Sequence, residues 1–234
     1  ALEACANEAP ITRAWIGSAG IDADESARIA TEALRCAMPH VHEWTVTNDA
    51  ALLCASVPRN RPCVVCIAGT GSVVLAYDAQ RTRTKRVGGL GWLLGDEGSA
   101  VGVGRAALRH VLSEPSPLLD VILAATGAAS ADDLLSYVYT DDSRTRIAAL
   151  AQVVTRAAHD GHAVAQHIVE LEAQAMAACI DRAAPPIPAA CRLGGALFGD
   201  AGYLARVLHH IQTPFIDTQV VHDICGCLLY TSDA

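Results

Sequence analysis

The chain has 234 residues, a formal net charge of −8 and a hydrophobic fraction of 52%, much of it alanine. The acidic balance argues against a nucleic-acid partner, because proteins that bind nucleic acids usually carry a basic patch. No apolar stretch reaches about 18 residues without a charge, and no basic segment followed by an apolar one opens the chain. We therefore expect no transmembrane helix, no signal peptide and a cytoplasmic location.

Residues 1–58 predict alternating strands and helices. In chain order these are a strand at Ala14–Ser18, a helix from Asp24 to about Met38, a strand at Trp44–Thr47 and a helix that begins at Ala50. Asp24 is a favourable N-cap residue, and Pro39 ends the first helix. The polar segment Pro58–Pro62 then predicts a junction between two lobes.

Residues 59–226 predict a meander of three strands followed mainly by helices. The strands are expected at Cys63–Ile67, Ser72–Tyr77 and near Lys85–Val87, and a short later one at Ala190–Leu193. The helices are expected at Ser99–Leu112, Pro117–Thr126, Asp132–Tyr139, Ser143–His159, Ala163–Ala183 and near Tyr203–His210. Their apolar residues recur with helical periodicity. This order of elements predicts an α/β fold with a mixed sheet.

The nine cysteines are irregularly spaced, and several lie in apolar runs, as expected of small buried hydrophobic residues. Cys63 and Cys66 form a Cys-x-x-Cys motif. On a strand, residues three apart face opposite sides, so this motif favours neither a disulfide nor a shared metal. We predict no metal site.

The turn Gly69–Ser72 has the sequence Gly-Thr-Gly-Ser and joins two apolar runs. Successive backbone N–H groups in such a turn form a nest for an anion, and the two hydroxyls add further donors. The turn is therefore a candidate phosphate site. A plain hairpin is the alternative, since glycine supplies the conformations that tight turns need.

Two acidic residues follow predicted strands. Asp49 is either an N-cap or a general base at the carboxyl edge of a strand. Asp96 lies in the glycine-rich segment Gly88–Ser99, just before a helix. A helix N-terminus favours acidic residues, which explains Glu97 well but not the surrounding glycines, so Asp96 is a candidate ligand contact.

Other patterns are less specific. The segment Gly102–Ala107 fits the dinucleotide fingerprint G-x-G-x-x-A, but it lies inside a predicted helix and follows no strand, so we expect no cofactor there. We see no set of carboxylate partners for three histidines, His159, His162 and His167. We therefore expect them on the surface or packed against other side chains. The pair Gly194-Gly195 has two possible interpretations, a turn at the end of a strand or a contact with a nucleotide.

Together these motifs resemble a known family. Ile67–Ser72 and Gly88–Ser99, preceded by Thr47–Ala50, are similar to the N-acetylglucosamine kinases and the wider BadF/BadG/BcrA/BcrD group of the sugar kinase–Hsp70–actin superfamily. The resemblance extends more weakly from about Ala14 to Leu208. It implies an actin-like (ribonuclease H-like) fold of two lobes with a cleft between them. Residues 1–58 would then be part of the first lobe and 59–226 most of the second.

The resemblance also implies roles for single residues. Asp49 matches the catalytic base and also contacts the sugar. Gly89, Leu90 and Asp96 match sugar-binding positions. The remaining matches correspond to ATP-binding positions: Gly69, Thr70, Gly71, Ser72, Ala148, Gly194 and Gly195. The family's use of ATP implies Mg²⁺ as the accompanying ion. The implied function is ATP-dependent phosphorylation of an amino sugar, with N-acetylglucosamine favoured and the 6-hydroxyl as acceptor.

Some features depart from the family pattern. Relatives usually have Trp at the position of Leu90, whereas this chain has Trp92 two residues later. The first phosphate motif of the family would precede residue 1, so we expect a fragment that is inactive by itself. Residues 227–234 resemble a translated sequencing adapter and are expected to be a non-native tail.

Two other functions stay open at this point: an ATPase activator of a radical dehydratase, and a relative that binds sugar or nucleotide without turnover. The oligomeric state is also open, although relatives often form homodimers.

Overall fold

The computed structural model describes residues 11–18, 21 and 24–221. The chain divides into two compact units, with the boundary between Ser56 and Val57. Among the described residues, the first unit has a sheet of two strands and the second a sheet of five. The tail predicted at 227–234 lies outside the described residues.

The first unit contains β1 (Arg13–Gly17), α1 (Asp24–Ala37), β2 (Glu43–Thr47) and a 3₁₀ helix, Asp49–Ser56. β1 and β2 are parallel and pair from Arg13 with Glu43 to Gly17 with Thr47. Parallel neighbours need a crossover connection, which α1 supplies. The predicted order of elements is confirmed, although the last helix is 3₁₀ rather than α.

The second unit is built on a mixed sheet in the order β5-β4-β3-β6-β7. Its strands are β3 (Cys63–Ala68), β4 (Ser72–Tyr77), β5 (Arg83–Gly88), β6 (Ala190–Gly194) and β7 (Asp217–Val221). β3 lies in the centre, antiparallel to β4 and parallel to β6. The α/β fold with a mixed sheet is therefore confirmed, and the carboxyl ends of β3 and β6 lie at the same edge.

Six α-helices and a short 3₁₀ helix, Ala196–Gly199, accompany this sheet in the described part of the second unit. The α-helices are α2 (Ala100–Ser113), α3 (Leu118–Thr126), α4 (Ala131–Val138), α5 (Ser143–His159), α6 (Ala163–Ala183) and α7 (Ala201–His210). Alternate residues of the central strands, such as Val64, Cys66 and Leu193, pack with these helices in one apolar core. None of the helices described here is long and apolar enough to cross a membrane.

Strand β7 is not expected from the sequence. This strand, Asp217–Val221, is half-buried or exposed, and it pairs with β6 at the edge of the sheet. Such a strand lacks a strong apolar alternation, so its periodicity does not distinguish it from a loop. Its pairing is accompanied by an ion pair of 2.8 Å between the buried Arg192 of β6 and Asp217.

The described cysteines are free, and five of the six are buried. Cys63 and Cys66 both lie on β3, as predicted. The Cys66 thiol contacts the Met176 sulfur at 3.1 Å in the core. Burial raises the pKa of the Cys66 thiol well above its usual range, so it stays protonated.

Candidate functional site

Asp49 follows the carboxyl end of the β1–β2 pair and is half-buried. The Ala50 N–H donates to two acceptors, Asp49 Oδ1 and Asn48 Oδ1, each at 3.0 Å. Asp49 Oδ2 makes no hydrogen bond with the described part of the chain. A Cβ on Gly17 would lie 2.8 Å from the Asp49 Cα, so glycine at the end of β1 permits this close approach. One carboxylate oxygen thus supports the helix start, and the other is available to a ligand.

The Gly69–Ser72 turn joins β3 to β4 and lies against the start of α2. The carbonyl oxygens of Gly69 and Thr70 accept hydrogen bonds from the Ala100 and Val101 N–H groups at 2.9 and 3.1 Å. The turn therefore satisfies N–H groups that the first turn of a helix cannot pair internally. The N–H groups of Thr70 and Gly71, and the exposed Thr70 hydroxyl, make no hydrogen bond with the described residues. Three donors of the turn can therefore reach a ligand.

Ser72 has a different role from the one predicted. Its hydroxyl donates a hydrogen bond of 2.7 Å to the Glu97 carbonyl oxygen, and the residue is buried. Because this proton is used within the protein, the prediction that the Ser72 hydroxyl donates to phosphate is corrected. Ser72 instead connects the turn to the segment 88–99, which we call the acidic loop.

Asp96 is the buried carboxylate of the acidic loop, with 3% of its surface exposed. Its φ is +63°, a conformation that few residues other than glycine adopt and that aspartate tolerates. The Ser99 hydroxyl and N–H donate to the Asp96 carbonyl oxygen at 2.5 and 3.2 Å. The Asp96 carboxylate itself makes no hydrogen bond or ion pair with the described part of the chain. The carboxylate oxygens are therefore available to accept hydrogen bonds from a ligand.

The turn and the acidic loop meet at Gly71. A Cβ on Gly71 would lie 2.5 Å from Asp96 Oδ2 and 3.1 Å from Arg144 Nη2. Arg144 is an exposed residue of the first turn of α5, and its guanidinium has no hydrogen-bond or ion-pair partner among the described residues. A carboxylate and a guanidinium therefore flank the turn. The sequence offers no signal for Arg144, since its position depends on how α5 packs.

The acidic loop is held by side chains from distant helices. Arg105 on α2 donates to the Trp92 and Gly95 carbonyl oxygens at 2.6 and 3.0 Å. Further bonds reach the loop from α6 and α7. Sequence reasoning missed these residues, because their spacing from the loop follows no local motif.

The two other predicted sugar contacts lie at the start of this loop. Gly89 is half-buried, and its carbonyl oxygen accepts a hydrogen bond of 2.5 Å from Arg86 Nη2. Leu90 is 66% exposed. Neither residue is placed beside the Asp96 carboxylate by a described contact, so their sugar contacts stay predictions.

The predicted nucleotide residues lie around the same sheet edge and on α5. Gly194 ends β6 and pairs with Ile67 of β3, and Gly195 follows with a φ of +105°. A Cβ on Gly195 would clash with the Ala68 backbone, so only glycine allows this approach to the residue before the turn. Gly195 is exposed whereas Gly194 is buried, which favours Gly195 as the residue that reaches a ligand. Ala148 is half-buried on α5, one helical turn after Arg144.

The apparent dinucleotide fingerprint lies within α2, where its glycines serve packing. A Cβ on Gly102 would clash with the Glu172 carboxylate, and one on Gly104 would clash with the Ile147 carbonyl oxygen of α5. The glycines therefore allow α2 to lie close to α5 and α6. This explains the motif without a cofactor.

The histidine prediction needs one correction. His159 does have a carboxylate partner: its Nε2 atom lies 3.1 Å from Asp200 Oδ2. The pair is half-exposed at the start of α7, where Asp200 also accepts a hydrogen bond of 2.8 Å from the Tyr203 N–H. No group of three or more His, Cys, Asp or Glu side chains in the described part of the chain is arranged to hold a metal ion.

The model of the BadF/BadG/BcrA/BcrD ATPase family matches residues 6–224 of the sequence. The chain belongs to this family. Among solved structures, this family member is similar to a protein of Porphyromonas gingivalis assigned as an N-acetylglucosamine kinase, with a TM-score of 0.73 and 21% identity. The match covers 94% of this chain and 77% of that one. The actin-like fold predicted from the sequence is confirmed.

Two curated proteins are also similar to this BadF/BadG/BcrA/BcrD family member. The N-acetylmuramic acid/N-acetylglucosamine kinase of Clostridium acetobutylicum is 31% identical over 162 residues, which cover 66% of this chain and 52% of that protein. The N-acetyl-D-glucosamine kinase of Dictyostelium discoideum is 28% identical over 131 residues, which cover 53% of this chain and 41% of that protein. The chain thus spans about half the length, or less, of the curated relatives that it matches.

Proposed function

We propose that the full-length protein containing this chain transfers a phosphoryl group from ATP to an amino sugar. N-acetylglucosamine is the preferred substrate in this proposal, and the 6-hydroxyl is the acceptor. The observation that carries the proposal is the buried, unpartnered Asp96 carboxylate beside Gly71 of the Gly69–Ser72 turn. The kinase names of the relatives support the same substrate class.

Asp96 supplies the sugar contact in this proposal. Hydroxyl groups of a sugar are hydrogen-bond donors, and an ionised carboxylate accepts such bonds strongly. The left-handed backbone at Asp96 and the two bonds from Ser99 to its carbonyl oxygen hold the residue in place. The backbone that carries the carboxylate is therefore fixed before a sugar binds, which lowers the entropy lost on binding.

The Gly69–Ser72 turn supplies the phosphate contact. The Thr70 and Gly71 N–H groups and the Thr70 hydroxyl are donors, and the Arg144 guanidinium adds positive charge at the same place. Phosphoryl transfer depends mainly on positioning and on stabilising charge at the transferred group. Gly195, with Ala148 on α5, extends the proposed nucleotide contact beyond the turn.

Asp49 is the proposed general base. Its position after the carboxyl end of two parallel strands is typical of catalytic side chains in α/β folds. Asp49 Oδ2 is available to accept the proton of the attacking hydroxyl, and Oδ1 keeps the side chain in place through the Ala50 N–H. General bases of this kind contribute about 10²- to 10⁴-fold to the rate.

Mg²⁺ enters this proposal together with ATP. The described residues offer no cage of three or more metal-binding side chains. Magnesium in such enzymes is typically held by the phosphates of the nucleotide, water and one or two carboxylates. Asp96 is assigned to the sugar in this proposal, so the ion would be held by the nucleotide phosphates and water, and it would neutralise charge on the transferred phosphoryl group.

The domain assignment is also part of the proposal. Residues 1–58 are taken as part of the first actin-like lobe and residues 59–226 as most of the second. The division of the chain between Ser56 and Val57 supports this assignment.

The test is phosphoryl transfer by the full-length protein, incubated with ATP, Mg²⁺ and a panel of hexosamines. Mass spectrometry identifies a phosphorylated product, and ³¹P NMR identifies the hydroxyl that carries the phosphate. We expect N-acetylglucosamine 6-phosphate, and no product from the 234-residue chain alone. Basal ATPase activity without a sugar phosphate, together with iron–sulfur absorption, would show instead an activator of a radical dehydratase. Sugar or nucleotide binding without turnover would show a non-catalytic relative.

The role of Asp49 has a separate test. Asp49→Asn should lower kcat by at least about 100-fold because the base is lost, while the dissociation constant for ATP stays nearly unchanged. Asp132→Asn, on the exposed first turn of α4, is the matched control for loss of one carboxylate. Turnover retained by Asp49→Asn would place the base elsewhere.

A further inference from the structure

The backbone next to Asp96 is fixed by two side chains from distant helices. The Gly98 N–H donates a hydrogen bond of 2.7 Å to Glu172 Oε2 on α6. The Gly98 carbonyl oxygen accepts one of 2.6 Å from the buried Tyr203 hydroxyl on α7. Both polar groups of Gly98 are therefore held from outside the acidic loop. Since Gly98 is two residues after Asp96, its position constrains the backbone that carries the Asp96 carboxylate.

The packing around Gly98 shows that this arrangement is tightly constrained. Gly98 has a φ of +70°, and a Cβ there would lie 2.6 Å from the Met176 Cβ of α6. On the opposite helix, Gly102 leaves the space that the Glu172 carboxylate occupies. Two glycines, one in the loop and one in α2, thus bring Glu172 to the Gly98 N–H.

Charged groups surround Glu172 on each side. Burial raises the pKa of the Glu172 carboxyl above its ordinary value, and Glu97 of the loop raises it further. The Gly98 N–H and Arg105 on α2 act in the opposite direction. From α7, the neighbouring group is the Tyr203 hydroxyl, whose pKa burial raises well above its usual range. Burial thus makes the ionised form of the Glu172 carboxyl costly, and the Gly98 N–H and Arg105 partly offset this cost.

We propose that Glu172 is a positioning residue for sugar binding: it holds the Gly98 N–H and thereby fixes the orientation of the Asp96 carboxylate. This inference rests on the proposed role of Asp96 in binding the sugar. In this proposal Glu172 does not itself contact the sugar, and among the described residues it makes no hydrogen bond to the Gly69–Ser72 turn; its hydrogen bond is to the Gly98 N–H. Its loss should therefore change sugar affinity and leave ATP affinity unchanged.

The experiment measures dissociation constants of the full-length protein for N-acetylglucosamine and for ATP by calorimetry. Glu172→Ala should weaken sugar binding by about tenfold, the effect of losing one hydrogen bond to a charged group, with ATP binding within about twofold. The matched control is Glu170→Gln, two residues earlier on α6, where the carboxylate pairs with His210 and Arg206. This control should bind sugar as the wild type does.

The pH dependence separates positioning from simple destabilisation. Glu172→Gln keeps an acceptor for the Gly98 N–H but cannot ionise. Charged hydrogen bonds are about twice as strong as neutral ones, so this variant should bind sugar about threefold more weakly than the wild type at pH 8. As the pH falls through the raised pKa of Glu172, the wild type should converge on the variant.

The outcomes are distinguishable even if Glu172→Ala does not fold. In that case, the sugar dissociation constant of Glu172→Gln is divided by that of the wild type, and this ratio is followed with pH. A ratio that is constant with pH, or equal sugar affinity of wild type and Glu172→Ala, would overturn the positioning role alone. If the wild type binds no amino sugar, the proposed function itself is wrong, and this inference is wrong with it.

Discussion

The Gly69–Ser72 turn and the acidic loop, residues 88–99, reach the same point at Gly71 by different means. The turn is fixed mostly by main-chain hydrogen bonds to the start of α2. The loop is fixed by long side chains, Arg105, Glu172 and Tyr203, from three helices. A turn held by its own backbone tolerates side-chain changes nearby, whereas the loop depends on residues far away in sequence. Substitutions at two glycines of the loop and two of the turn therefore test this difference between the turn and the loop most directly.

The largest effect on stability is expected for Gly98→Ala in the loop. A Cβ there meets the Met176 Cβ at 2.6 Å and the Glu172 carbonyl oxygen at 3.0 Å, while φ is +70°. Strain from the left-handed conformation and overpacking together should lower the free energy of unfolding by roughly 3 to 4 kcal/mol. Chemical denaturation measures this difference.

The control for Gly98 is Gly91→Ala in the same loop. Gly91 also has a positive φ, +83°, but no atom lies within 4 Å of the position that a Cβ would take there. Only the conformational strain remains, so the expected loss is roughly 1 to 2 kcal/mol. Equal losses for the two variants would show that packing against α6 does not hold the loop.

In the turn, Gly71→Ala should damage activity rather than stability. The new Cβ would displace the Asp96 carboxylate and the Arg144 guanidinium, which are the ends of side chains and can move. A displacement of about 1 Å in a reactive site costs about 100-fold in rate, so we expect kcat/KM for the sugar to fall by about that factor. Steady-state kinetics and a thermal melt measure the two effects separately.

Gly69→Ala is the matched variant within the turn. No atom lies within 4 Å of the Cβ position at Gly69, and its φ is not in the left-handed region. The Gly69 N–H donates to the Gly71 carbonyl oxygen at 2.9 Å, so it is not among the donors left for the phosphate, and activity should stay within about twofold of the wild type. A large loss there would mean that the turn is used by a ligand at Gly69 rather than at Gly71.

The smallest effect concerns Asp200, which caps the helix that carries Tyr203. Burial by itself would raise the pKa of Asp200, but the Tyr203 N–H and His159 lower it below the ordinary value of 3.8. The ionised carboxylate thus stabilises the fold above pH 3.8, and this contribution is lost as the pH falls through the lowered pKa.

Asp200→Asn keeps a good N-cap but removes the charge. It should therefore lower the free energy of unfolding by less than about 1 kcal/mol at neutral pH, because the pair with His159 is partly exposed. The difference should shrink as the pH falls below 3.8 and vanish once the pH is below the lowered pKa of Asp200. Denaturation of both proteins at pH 7 and in acid measures it, and a difference that persists in acid would contradict the charge-based explanation.

Most elements were predictable because their signals are local. Ser99 precedes α2, and its hydroxyl accepts the Gly102 N–H at 3.0 Å, as a cap before an apolar helix predicts. Helices α5 and α6 were predicted with the observed bounds from their periodicity. Strand β7 was not predicted, because an edge strand of mixed polarity carries no clear period.

The candidate site was predictable only in part. The Gly-Thr-Gly-Ser turn and Asp96 stand out in the sequence because glycines flank polar residues directly after predicted strands. The prediction that the Ser72 hydroxyl donates to phosphate was wrong, since nothing local reveals that this hydroxyl donates to Glu97 of the next loop. His159 was likewise assigned no carboxylate partner, because Asp200 is 41 residues later in the chain.

The sequence by itself determined the order of elements, the mixed α/β class, the family and the two glycine-rich segments, since each depends on residues close together in the chain. Only the tertiary structure decided which side chains support those segments. Arg105, Arg144, Glu172 and Tyr203 reach the turn or the loop from four different helices. Their contacts arise from helix packing, which depends on complementary shapes over the whole unit and leaves no local pattern in the sequence.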